Sequence, residues 1–247
     1  MEACTQARQR FADLVGEPVP AVRIAVEPRA GYRTGTASGD AVVFWPTSAT
    51  MADGARRALR SREDVAADTT GEGRRVAAHV SAQWREVLPH EIVHALMATR
   101  FYPDSDFPRE GYGTPLPDWL EEGAAIWAEP RDSRRSRLAT ARDLPPARRD
   151  LRSILAGEHP AAADRRILTV RDGAPPPDQQ ALWDFYPQSI ALVSFIHDEG
   201  GPEAVAELTR RLVRDPTDTL AIRALPGLPD RLETIEAAWR RWLDAAD

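Results

Sequence analysis

The chain has 247 residues, 43% of them hydrophobic and 28% charged, enough to bury one sizeable core or two small lobes. Its net charge of −6 excludes the strongly basic character of a general nucleic-acid binder, so no nucleic-acid partner is expected. The single cysteine, Cys4, excludes an internal disulfide and a thiolate metal site, and no apolar run approaches the ~18 residues of a membrane span. The N-terminus lacks the basic and apolar regions of a signal peptide, so a soluble chain is expected. The compartment stays open, since a trimmed exported precursor could begin in the same way. Every basic residue is arginine, which we read as compositional bias and not as chemistry.

Residues 4–15 carry Ala7, Phe11, Leu14 and Val15 at helical spacing and stop at Gly16 and Pro18, predicting a short helix. Residues 22–26 (VRIAV) alternate at period two, and 41–45 (AVVFW) form a short apolar run closed by Pro46; both read as strands. The Gly-, Thr- and Ser-rich stretch 31–40 between them is a connection or a hairpin arm. Residues 51–76 have many charges and few large apolar groups, predicting a polar helix and a loop. Residues 75–85 lead onward, and His79 among them reads as an ordinary polar residue.

Residues 87–100 (VLPHEIVHALMATR) contain His90-Glu91-Ile92-Val93-His94, a His-Glu-x-x-His pentad. On a helix the two histidines lie one turn apart on one face, so both imidazoles can reach one ion, with Glu91 about 100° round beside them. Leu88, Ile92, Val93, Ala95 and Leu96 take the other side. Zinc suits such a pair, because it takes neutral imidazole and keeps a position open for water, whose proton a neighbouring carboxylate can accept. Pro89 stands directly before the first histidine, so the helix either starts there or kinks.

Residues 101–117 hold four prolines and two glycines and cannot be regular structure. Tyr102 and Tyr112 in this stretch are candidate substrate contacts. Pro117 and Asp118 then open a helix that runs to Pro130. Its bulky residues Trp119, Leu120, Ile126 and Trp127 define one side; Glu121 projects away from it and Glu122 lies at its edge, making Glu122 the inward carboxylate and the candidate third ligand. Gly123, central on the apolar side, predicts the close approach of another helix, expected to be the His-Glu-x-x-His helix.

The pair His90-Glu-x-x-His94 and Trp119-Leu-x-Glu122-Gly123-x-Ala125 resembles the gluzincin metallopeptidases, in particular the bacterial peptidase-MA-like domains. The resemblance is specific over 84–129 and looser over 181–247. It implies zinc held by His90, His94 and Glu122, with Glu91 as base and a peptide or protein as substrate. It also implies an α+β, thermolysin-like zincin fold, in which a small twisted N-terminal sheet packs on the active-site helix and a helical half follows. One unit would span 1–247, with a sheet lobe and both motif helices in 1–129, an Arg/Pro-rich connection in 130–180 and a helical lobe in 181–247. The edge of the sheet would then take an extended peptide by strand addition. Such families use a tyrosine or histidine to stabilise the oxyanion; Tyr186 is the choice here, with His197 and Tyr112 as alternatives. The Glu-x-x-x-Asp of thermolysin itself is absent, since Ile126 stands four residues past Glu122, and Asp118 becomes the candidate partner for a metal histidine.

Residues 131–152 hold eight arginines against three aspartates and read as a solvated, mobile segment in preference to an anion-binding patch. Residues 172–178, with three consecutive prolines, are a stiff connection. A helix is expected over 190–196 to Gly200-Gly201, another from Pro202 through Leu212, a short one near 217–224, and a last one over 229–245 carrying Trp239 and Trp242 as core. Two readings compete with the peptidase. One is a catalytically inactive zincin scaffold that binds a partner through its arginines; the other is a zinc hydrolase of a non-peptide amide or ester.

Overall fold

The computed structural model describes residues 2–28, 33–37, 40–60, 69–103, 114–157, 159–160 and 179–245. It is a mostly helical α+β arrangement with a small N-terminal sheet. Helix α1 (Glu2–Val15) buries Ala7, Phe11, Leu14 and Val15, the stripe that its sequence spacing gives, and ends at Gly16, whose φ of 63° suits a residue without Cβ. Strands β1 (Val22–Glu27), β2 (Arg33–Ala37) and β3 (Asp40–Pro46) form one sheet in the order β1-β3-β2. β1 runs parallel to β3, with Val22 opposite Ala41, and β2 pairs antiparallel with β3 from Arg33 opposite Phe44 to Ala37 opposite Asp40. Within the stretch between the two expected strands, residues 33–37 therefore form an antiparallel arm. β3 is the central strand, and Ala41, Val42, Val43 and Trp45 are buried in it.

Helices α2 (Ser48–Arg60) and α3 (Thr69–Ala82) occupy the charged stretch, two helices where one was expected. α3 passes through a π-helical turn, Gln83–Val87, into α4 (Leu88–Phe101), the His-Glu-x-x-His helix. The Leu88 N–H donates to the Gln83 carbonyl five residues back. This wider turn accommodates the Pro89 ring, which an unbroken α-helix would press against a carbonyl of the preceding turn. Pro89 thus sits in the first turn of α4, where its missing N–H costs little.

α4 packs on β2 and β3 and against α1 and α5 (Asp118–Ala128). α5 is the most enclosed element, with α1, α4 and α8 (Gln179–Arg214) around it. Its Trp119, Leu120, Ala125 and Ile126 are all buried, and burial of each large apolar side chain contributes roughly 1.5–3 kcal/mol. The close approach foreseen at Gly123 is real, but the neighbour is α8, not α4: a Cβ there would meet the Ser189 carbonyl oxygen and Val193 Cγ2, each at 2.5 Å. α8 breaks at Gly201 (φ 73°) and resumes at Pro202, as the glycine pair and proline predict.

The arginine-rich stretch is not a free segment. Residues 131–143 form α6 (Arg131–Asp143), and α7 (Leu151–Leu155) follows, capped by the Asp150 side chain accepting from the Ser153 N–H. α6 lies against α8, with Ala141 buried and the Arg134 guanidinium 4.6 Å from the centroid of the Trp127 ring. Arginine makes this docking possible, because its planar head stacks on an aromatic face. The short helix expected near 217–224 is a run of turns. Asp215 accepts from the Thr217 N–H and Asp218 from the Leu220 N–H, local bonds that compete with a helical ladder. α9 (Leu232–Ala245) closes the chain; its Trp239 is buried and stacks with Trp242 at 5.9 Å. Among the described residues, no helix is long and apolar enough to cross a membrane.

Candidate metal centre

The π turn and the core packing of Ile92, Val93 and Leu96 fix the rotation of α4, so that His90 and His94 face α5 together. Their ring centroids are 4.9 Å apart and their Nε2 atoms 3.1 Å apart. From α5, the wholly buried Glu122 brings Oε2 to 3.1 Å from His90 Nε2 and Oε1 to 3.5 Å from His94 Nε2. The three residues offer one ligand atom each within 4.8 Å of one another, and so form a group that could hold a metal ion.

Two features show that these residues fit a metal. With metal–donor bonds of ~2.0–2.1 Å, the edge of a coordination tetrahedron is about 3.3–3.4 Å. The Nε2–Nε2 separation of 3.1 Å is close to that value, and the Glu122 carboxylate reaches each ring through a different oxygen, Oε2 at 3.1 Å from His90 and Oε1 at 3.5 Å from His94. The second feature is the tautomer. His90 Nδ1 lies 3.1 Å from Glu129 Oε1, and a carboxylate there takes the ring proton onto Nδ1 and leaves Nε2 as a bare donor toward Glu122. His94 Nδ1 has no hydrogen-bond partner among the described residues.

Burial opposes a charged His90, but Glu122, Glu129 and Glu91 outweigh it and raise its pKa to about 10. Burial and the charge on His90 take His94 down to about 4, against the pull of Glu122. One ring carries the charge, and the second does not.

The expectation that Glu121 projects outward is corrected: it is 1% exposed. α5 is covered on every side, so no residue of its middle turns faces water. Glu121 Oε2 accepts from the Thr114 N–H at 3.0 Å and Oε1 from the Thr114 hydroxyl at 2.8 Å. Burial pushes its pKa up to about 8, against these two bonds, and the charges of Glu122 and Asp118 add to the rise. Tyr102, at the end of α4, has its phenol raised to about 12 by burial and by the charge of Glu121.

Asp118 is not the partner of a metal histidine. Its Oδ2 accepts the backbone N–H of His159 at 2.7 Å, and the role expected of it belongs to Glu129. Glu129 stands seven residues past Glu122, two helical turns on, which places both acids on one face; that spacing was the available signal. Arg10 secures this end of α5 by donating to the Ala128 and Glu129 carbonyls at 2.7 and 2.8 Å. His159 was also missed, because it lies in a polar, proline-rich stretch without periodicity. It is wholly buried, its Nε2 is 3.2 Å from the Tyr186 hydroxyl, and its ring meets Phe185 edge-on. Burial lowers its pKa, Glu122 opposes this and His90 adds to it, so His159 sits within the field of the triad.

Glu91 is 9% exposed on α4, and its charge is among those that raise His90. Tyr186, on α8, stands with His159. His197 lies apart from these, 4.6 Å from the Trp127 ring and 3.6 Å from Asp198. His79 is exposed on α3. Tyr112, the third candidate for oxyanion stabilisation, lies outside the described residues, as does the stretch 172–178. No family model, curated protein or solved structure matches the chain.

Proposed function

We propose that the chain is a zinc-dependent metallopeptidase of the gluzincin kind, a zincin-like unit spanning 1–247, with His90, His94 and Glu122 as ligands and a peptide or protein as substrate. The observation that carries this reading is the convergence of two imidazole nitrogens and a buried carboxylate at 3.1–3.5 Å, with Glu129 fixing the ligating tautomer. Zinc bound by three such donors keeps one position open and supplies the Lewis acidity that makes water a nucleophile near neutral pH. Glu91, nearly buried beside His90, accepts the proton of the attacking water and returns it to the leaving amine. Tyr186 donates to the carbonyl oxygen as that oxygen gains charge. With its proton on Nε2, His159 donates to the phenol oxygen and orients it. β2, the outer strand packed next to α4, offers its backbone to an extended peptide.

The test joins metal analysis with cleavage of a quenched peptide. The wild type is expected to hold one zinc, to cleave, to lose cleavage with a chelator and to regain it with added zinc. Glu91→Gln is expected to hold zinc and lose roughly 10²–10⁴-fold in kcat. A Glu91→Gln variant that cleaves as fast as wild type removes Glu91 as the base. A chain that binds zinc and cleaves small esters or amides but no peptide replaces peptidase with another hydrolase.

A further inference from the structure

The arginine-rich helix α6 sends one side chain into the neighbourhood of the metal centre, and neither the ligand set nor the proposed chemistry uses it. Arg137 Nε is 3.3 Å from Glu129 Oε2, and its Nη2 is 3.3 Å from Glu129 Oε1. A two-pronged guanidinium thus meets a carboxylate that is only 4% exposed. The same Oε1 receives His90 Nδ1 at 3.1 Å. The guanidinium carbon also lies 5.4 Å from the centroid of the Tyr186 ring, and the Tyr186 hydroxyl rests 3.2 Å from His159 Nε2. One side chain therefore touches both halves of the site: the acid that orients a metal-facing imidazole and the aromatic ring proposed to serve the oxyanion.

The geometry points to Arg137 as a positioning residue that holds Glu129 and Tyr186 in register, and through Glu129 holds His90. This inference rests on the proposed metal reading. A carboxylate enclosed to this degree is costly unless its charge is balanced, and a planar fork balances it while fixing the rotation of the carboxylate plane. That plane sets where Oε1 sits, and Oε1 sets the tilt of the His90 ring. The contact with Tyr186 is a separate one, the guanidinium carbon lying over the ring at 5.4 Å from its centroid, so the one does not displace the other. Lysine has the charge without the plane and can satisfy only part of this. The other arginines of α6 do not share the arrangement: Arg134 lies on Trp127, Arg131 and Arg135 are exposed, and the Arg142 Nε has no hydrogen-bond partner among the described residues.

The experiment compares wild type, Arg137→Lys, Arg137→Gln, Glu129→Gln and the Arg137→Gln/Glu129→Gln double variant. Zinc affinity is read by competition with a chromophoric chelator, unfolding of the metal-free protein by circular dichroism, and kcat and KM on a quenched peptide. Glu129→Gln, which changes the group touching His90, is expected to weaken zinc roughly 10- to 100-fold, the range for an outer-shell partner, and Arg137→Gln to weaken it by part of that, more than about threefold, and to lower kcat more than it raises KM. Arg137→Lys should recover only part of either loss. In the Glu129→Gln background the arginine change should cost less than about threefold in zinc affinity, because residues acting through one contact are not additive. Unchanged zinc affinity in Arg137→Gln, with or without a fall in the unfolding temperature, overturns the inference, as does a loss of zinc affinity of equal size in both backgrounds. A wild type that binds zinc while the arginine variants bind it equally well refutes this role alone. A wild type that takes up no zinc refutes the metal reading and this role with it.

Discussion

Replacing Gly123 by alanine tests the packing that sets the site. A Cβ at this position would stand 2.5 Å from the Ser189 carbonyl oxygen, 2.5 Å from Val193 Cγ2 and 2.9 Å from the Ser189 carbonyl carbon. Two of these atoms are α8 backbone, which no rotamer change can move aside. Ordinary contact begins near 3.4 Å, so α5 and α8 would have to part by about 0.9 Å. Overpacking of this sort costs about 1–3 kcal/mol, and the backbone collision argues for the upper part of that range. Alanine returns roughly 1 kcal/mol of helix propensity. The net expectation is a loss of about 1–2 kcal/mol, a fall in Tm of ~2–8 °C for a chain of this size. Gly73→Ala is the control: it lies in α3, a Cβ there meets nothing within 4 Å, and alanine should stabilise by about 0.5–1 kcal/mol. Thermal and urea unfolding of both variants measure this. A Gly123→Ala protein as stable as wild type, or gaining as much as Gly73→Ala does, would refute the close packing of α5 on α8.

Zinc at 100 times its Kd should add about 2.7 kcal/mol, or roughly 5–11 °C in Tm, and Glu122→Ala should abolish the increment whatever it does to the metal-free protein. Equal Tm values for wild type with and without zinc would contradict the metal reading. Glu121 has a folded pKa of about 8, above its ordinary 4.5, so its protonated form is the one the fold favours. The resulting stability is fully present below pH 4.5 and is lost as pH rises toward 8. Glu121→Gln keeps the shape without titrating; its carbonyl can accept from the Thr114 N–H and its amide nitrogen donate to the Thr114 hydroxyl oxygen. It should therefore outlast wild type in urea at pH 9, by on the order of 1–4 kcal/mol, and show a smaller advantage at pH 5. An advantage that does not grow with pH would remove burial as the cause of the shift.

Local geometry made the centre of the site legible. A spacing of four residues on a helix puts His90 and His94 on one face whatever the rest of the chain does, and the edge position of Glu122 follows from the same projection. The first helix and the strands were legible for the same reason, as short-range periodicity. What failed were inferences that needed to know the neighbours. Projection assigns a helix one wet side, but α5 has none, so Glu121 was misplaced although its angle was right. Gly123 announced a close contact without saying with what, since a missing side chain carries no address. Glu129, Arg137 and His159 come from three separate segments, and only packing brings them around His90 and Tyr186. At 217–224, side-chain acceptance by Asp215 and Asp218 won over a weak helical pattern.

Glu122 stands on a helix that touches solvent nowhere along its middle turns. Its carboxylate has no outward rotamer to visit, so a cation gripped there cannot leave by the swing of one arm. Release would go by the histidine side of the site, where both rings keep 12% of their surface exposed.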